Sequence, residues 1–146
     1  MMKPALLVTV LAAALLVSCS SDPAPEPTSA EKTIGPEGGT MDVAGATITI
    51  APGALPSATK ITVSKTTSAA PAGYVALSPI FHCEPSGTEF AKEVTMTMPF
   101  TSDGQPATMF WSAGTPEFKD IGGTVEGGRM KATVRHFSEG FVGRKK

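Results

Sequence analysis

The fold is decided by the stretch Ala46-Thr47-Ile48-Thr49-Ile50-Ala51-Pro52-Gly53-Ala54-Leu55-Pro56. Threonine and isoleucine alternate from Thr47 to Ile50, so the hydroxyl-bearing side chains point to one side and the apolar ones to the other. β-branched residues that repeat with a period of two are typical of a half-buried β-strand. Pro52 then removes an amide donor, and Gly53 permits a turn. The stretch therefore predicts a strand, a sharp corner and a buried Leu55 after it.

Outward from this stretch, the same alternation recurs at short intervals. Apolar and polar residues alternate over residues 59–65, 94–100 and 130–135, residues 74–81 are another strand candidate and residues 108–111 a short aromatic strand, and turns rich in glycine, proline and aspartate lie between them. Short strands with turns about every 10 residues are typical of a sandwich. The sequence therefore predicts an all-β fold over residues 33–143, an antiparallel β-sandwich of about seven to nine short strands.

Length and composition bound the class of protein. The 146 residues, 41% of them hydrophobic, suit a single domain. Charged residues make up 17% of the chain and its net charge is -1, which excludes the basic surface that binding of nucleic acid requires. The basic cluster Arg144-Lys145-Lys146 is predicted to be a solvated tail over residues 144–146.

The N-terminus has the features of an export signal. Lys3 precedes the apolar run Ala5 to Val17, whose 13 residues are fewer than the roughly 20 that span a bilayer. The run leads into Leu16-Val17-Ser18-Cys19, which resembles the bacterial lipobox. That resemblance implies removal of a lipoprotein signal peptide over residues 1–18 and acylation of Cys19. With two or more acyl chains, we expect the protein to be anchored to a membrane without crossing it.

The residues after Cys19 are predicted to form a tether. The segment 19–32 alternates prolines with small and acidic residues, a composition typical of an extended polyproline II linker. Ser20 follows the cysteine, and by resemblance to the enterobacterial sorting rule it implies the outer membrane rather than the inner one. The expected location is therefore the bacterial cell envelope.

Several motifs in order carry a resemblance to a known module. They are Gly38-Gly39-Thr40, the corner Ile50 to Pro56, the turn Glu84-Pro85-Ser86-Gly87, the segment Phe90 to Met96, and the terminal His136-Phe137-Ser138. Together they resemble the ZU-five (ZU5) domain, a β-sandwich module of zonula occludens proteins, Unc-five netrin receptors and ankyrins. The resemblance implies a non-catalytic role in binding or scaffolding, with an unknown protein or envelope partner and no cofactor.

The tripeptide His136-Phe137-Ser138 supports two interpretations. It resembles the self-cleavage site of a death-domain protein with ZU5 modules and of certain nucleoporins, which implies Ser138 as nucleophile and His136 as base. Alternatively, a bulge in the last strand places Phe137 in the core and involves no reaction. We predict the second, and therefore no catalytic residues, with cleavage between Phe137 and Ser138 as the alternative.

Other candidate sites have weaker patterns. His82-Cys83 and His136 could supply three metal ligands, but adjacent strand residues face opposite sides and no metal-binding spacing occurs, so we predict no metal. Cys83 is the only thiol left after lipidation of Cys19, which excludes an internal disulfide. A small envelope hydrolase, a third class, would need a serine or a pair of carboxylates near His82 in a cleft.

Overall fold

The computed structural model describes residues 27–113 and 117–146, and all the regular elements in these residues are β-strands. The prediction of an all-β antiparallel sandwich is confirmed. The strands are β1 (Ser29–Ile34), β2 (Gly39–Val43), β3 (Ala46–Ile50), β4 (Thr59–Lys65), β5 (Tyr74–Ala76), β6 (Phe81–Glu84), β7 (Glu89–Pro99), β8 (Thr108–Ser112), β9 (Phe118–Gly122), β10 (Thr124–Glu126), β11 (Arg129–His136) and β12 (Glu139–Lys145).

The strands form two antiparallel sheets. A seven-stranded sheet has the order β1-β4-β6-β12-β8-β9, with β5 also paired to β12, and a five-stranded sheet has the order β10-β11-β7-β3-β2. Apolar residues that alternate along both sheets form the main core between them. In β3, for example, Ala46, Ile48 and Ile50 are buried, whereas Thr47 and Thr49 lie on the outer face. In a strand such as β3, the apolar residues of the alternating pattern therefore mark the face that is covered by the core.

The corner after β3 has the predicted form. Gly53 has a φ of 81°, a left-handed value that favours glycine, and its amide donates to the carbonyl of Pro36 at 2.8 Å. Leu55 is buried, and the carbonyl of Ala54 accepts a hydrogen bond of 3.0 Å from the amide of Ala91 in β7. The corner thus joins the end of β3 to the long central strand of the same sheet.

The number of strands exceeds the predicted seven to nine. One predicted strand, residues 74–81, is two strands, because β5 ends at Ala76 and β6 begins at Phe81. Pro79 lies between them and has no amide to donate to a ladder. β5 and β10 have three residues each, so they raise the number of strands while adding little to the sheets.

The first strand begins before the predicted domain boundary. Ser29–Ile34 pairs with β4, so the last four residues of the predicted tether, 29–32, belong to the sandwich. Most side chains of β1 are exposed, and only Ala30 and Ile34 contact the core. β1 is an edge strand that pairs through its backbone on one side only and needs few apolar side chains, so its polar composition did not indicate a strand. Residues 1–26, with the predicted signal peptide and Cys19, lie outside the described residues.

The predicted basic tail is also part of the sandwich. β12 extends to Lys145, and Arg144 and Lys145 pair with Val75 and Tyr74 of β5. Arg144 also bonds the carboxylate of Asp103, and this hydrogen bond holds the pKa of that carboxyl below its ordinary value. Arg144 and Lys145 therefore continue an inner strand of the larger sheet and do not form a free tail.

Candidate functional site

The tripeptide His136-Phe137-Ser138 links the two sheets. β11 ends at His136 in the five-stranded sheet, and β12 begins at Glu139 in the seven-stranded sheet. The register of β11 against β7 shifts between Val134 and His136, which is the irregularity predicted for this segment. The tripeptide is therefore a corner through which the chain passes from one layer to the other.

Phe137 belongs to the core. Its side chain is fully buried and packs edge to face on Phe90, with ring centroids 4.7 Å apart. Its amide donates to the carbonyl of Thr88 at 2.9 Å, and its carbonyl accepts from the amide of Gly87 at 2.8 Å. Both backbone groups of the residue are thus bonded to the turn that precedes β7.

His136 is held by β8. The Nε2 atom of its ring lies 3.0 Å from the carbonyl oxygen of Ser112, so this nitrogen carries a proton that it donates. The carbonyl of His136 accepts a hydrogen bond of 3.2 Å from Nε1 of Trp111. No hydrogen bond joins the side chains of His136 and Ser138, both of which the structure describes. The histidine therefore orients the corner against β8 and is not paired with the serine.

A cleft of about 370 Å³ opens at this corner. It is lined by Ser86, Gly87, Glu89, Ala113, His136, Phe137 and Ser138. Its polar groups are one carboxylate, one imidazole and two hydroxyls, a set that can hydrogen-bond a short polar segment. Among the described residues, the Ser138 hydroxyl has no hydrogen bond to the imidazole of His136, which would have to take its proton before the serine could attack the carbonyl of Phe137. The geometry favours binding at this cleft.

Left-handed backbone strain is not found at the tripeptide. Among the described residues other than glycine, only Ala44 has a positive φ. The self-cleavage interpretation requires backbone strain at the peptide bond before Ser138. The corner is instead accommodated by the register shift in β11.

His82 and Cys83 face opposite sides of β6. Cys83 is fully buried, and burial raises the pKa of its thiol to about 12, so it stays protonated. His82 lies on the surface, with Nε2 3.3 Å from Glu84 and Nδ1 3.6 Å from Glu139. In the described part of the chain no group of three His, Cys, Asp or Glu side chains has the geometry to hold a metal. The sequence did not predict the contact with Glu139, which depends on the pairing of β6 with β12.

The fold and this corner define a class of protein, an all-β sandwich domain with an open polar cleft at one end. The ZU5 domain family matches residues 30–112, which is more than half of the chain, and the chain belongs to that family. No curated protein matches the chain. The matched region ends with β8, so β9 to β12 and the tripeptide lie beyond it.

Proposed function

We propose that this protein is a lipid-anchored component of the bacterial cell envelope whose ZU5 domain binds a protein partner or serves as a structural scaffold, without catalysing a reaction. Membership of the ZU5 family supports a binding or scaffold domain. The observation that carries the non-catalytic part is the bond from Nε2 of His136 to the carbonyl of Ser112, because it orients the imidazole toward β8 and not toward the Ser138 hydroxyl. The cleft beside it offers hydrogen-bonding groups to a partner.

The proposed anchor rests on the lipobox-like Leu16-Val17-Ser18-Cys19. Between Cys19 and the first residue of β1, Ser29, lie nine residues that contain three prolines. As polyproline II they would span about 28 Å, enough to hold the sandwich clear of the lipid headgroups. Within residues 27–113 and 117–146 there is no helix with the length and hydropathy to cross a membrane. We propose the outer membrane as the location, on the basis of Ser20.

Cys19→Ala should abolish the anchor. The substitution removes the acylated thiol, so a fatty-acid probe should no longer label the protein and the chain should leave the membrane fraction. Cys83→Ala is the matched control, because Cys83 is the other cysteine of the chain and its side chain is buried. We expect that variant to be labelled as the wild type is. Labelling that survives Cys19→Ala, or that Cys83→Ala removes, would contradict the proposal.

Self-cleavage between Phe137 and Ser138 is a second candidate. It is favoured by the amide of Gly87, which already donates a hydrogen bond to the carbonyl that would be attacked, and by the position of His136 and Ser138 in the lining of the same cleft. Cleavage would separate residues 138–146, which include all of β12. Since β12 lies between β6 and β8 in the larger sheet, the fragment would stay bound in the folded protein.

Intact mass under denaturing conditions distinguishes the two candidates. We expect purified protein to have the mass of the chain through Lys146, with no population that ends at Phe137. Ser138→Ala should give the same pattern, shifted only by the lost oxygen atom. A species that lacks Ser138 to Lys146 in the wild type, and that Ser138→Ala removes, would overturn the non-catalytic assignment.

A further inference from the structure

The outer face of the five-stranded sheet carries two aligned rows of side chains. The strand registers place four threonines side by side in the first row, Thr40, Thr49, Thr95 and Thr133. They place an acid, two threonines and a base in the second row, Asp42, Thr47, Thr97 and Lys131. We call these eight residues the threonine face. All eight side chains are exposed or half-buried.

The composition of the threonine face suits contact with a second sheet. Six of its eight residues are threonines, whose branched side chains stand upright on the pleat and offer both a methyl group and a hydroxyl. Its charges occur only in the second row, at opposite ends. Asp42 lies on the edge strand β2, and Lys131 lies three strands away on β11. The oppositely charged ends are complementary to a copy of the face rotated by half a turn, and between them the guanidinium of Arg129 is bound within its own chain to Thr47 and to the carbonyl of Gly45.

The acid at one end is held in place. Thr47 donates its hydroxyl to the carboxylate of Asp42 at 2.6 Å, and the same hydroxyl accepts from Nη2 of Arg129 at 2.9 Å. Lys131 has one ion pair on its own chain, a 3.6 Å contact with Glu126 in which both side chains are largely exposed. The ammonium can therefore turn toward another carboxylate with little loss.

We propose that two copies of this chain pair through their threonine faces. A two-fold axis parallel to the strands, between β3 and β7, places β2 of one copy over β11 of the other. Asp42 of each copy then faces Lys131 of its partner copy, so the ion pair forms twice. The threonines of the inner strands meet one another, with the sheets about 10 Å apart.

The same axis keeps the two N-termini at one end of the pair. Rotation about a line parallel to the strands does not reverse the strand direction, so both β1 strands start on the same side. This arrangement allows both copies to be anchored in one membrane. The anchoring itself rests on the proposed function. Anchoring would also raise the effective concentration of the copies, so that a small contact area suffices. The pairing of charges itself requires no anchor.

Charge reversal tests the pairing with full chains that carry two different affinity tags, purified together in detergent. Asp42→Lys puts two lysines opposite each other, and Lys131→Asp puts two acids there. When either variant is pulled down alone through the first tag, it should bring with it at least about tenfold less of the copy with the second tag than the wild type does. A mixture of the two variants restores one reversed and one native pair, and it should recover to near the wild-type level. The double variant D42K/K131D should pair as well.

The control is Glu31→Lys, which reverses a charge of the exposed Lys60–Glu31 ion pair on the other sheet. It should leave recovery unchanged. The rescue in the mixture shows that both single variants are folded, because an unfolded chain cannot pair. A wild type that stays monomeric at every concentration, single variants that pair normally, or a mixture that fails to pair would overturn the proposal. Membrane attachment that persists in Cys19→Ala, with pairing intact, would reject only the anchor.

Discussion

Phe137→Ala is expected to lower the free energy of unfolding by about 3–5 kcal/mol, the range found when a buried aromatic ring is cut back to a methyl group. The ring is fully buried, and it packs edge to face on Phe90 at the point where the chain passes between the sheets. Its removal leaves a cavity that backbone bonds to Gly87 and Thr88 prevent from collapsing. Urea denaturation followed by circular dichroism measures the loss.

The control for this prediction is Val125→Ala. Val125 is a large hydrophobic residue with 54% of its surface exposed, so its substitution should change stability by less than about 0.5 kcal/mol. Should Phe137→Ala fail to fold, Phe137→Leu keeps the protein measurable and should lose roughly half as much. A Phe137→Ala variant as stable as Val125→Ala would show that the tripeptide is not a structural corner.

Alternation predicted strands with one covered face, such as β3, whereas β12, which is covered on both faces, was not predicted. β3 has alternating isoleucines and threonines, because only its inner side meets the core. In β12, residues 140–143 are all buried, since Phe141 packs with Phe110 and Phe118 in a second cluster on the other side of the sheet. Alternation disappears when both sides are covered, so the sequence did not indicate a strand after the tripeptide.

The candidate site was predictable where local pattern determined it. Alternation along β11 put position 136 on the core side, and the conflict with an apolar Phe137 predicted both the irregularity and the burial of the ring. The bond from His136 to the carbonyl of Ser112 joins residues far apart in the chain. It depends on which strands lie next to each other, as does the threonine face, whose rows exist only in the register of four strands.

Gly140→Ala should be the other strongly destabilising substitution. Gly140 pairs with Trp111 across the seven-stranded sheet, and the indole ring lies over the glycine. A Cβ atom at this position would stand 2.6 Å from the carbonyl oxygen of Phe110 and 2.8 Å from Cζ3 of Trp111. The ring would have to move, and its hydrogen bond to the carbonyl of His136 would break. We expect a loss of about 3 kcal/mol from overpacking and the lost bond.

Gly39→Ala is the matched control for Gly140→Ala. Gly39 is also a strand residue without a left-handed φ, but an added Cβ would meet the side chain of Ile34 at 3.5 Å, an ordinary contact. Alanine there should leave stability unchanged or raise it by about 0.5 kcal/mol, because it restricts the unfolded chain. The only tryptophan of the chain reports on the mechanism, since its fluorescence should shift in Gly140→Ala and not in Gly39→Ala. Equal stability of the two variants would mean that Trp111 can move aside freely, and that it does not hold His136 in place.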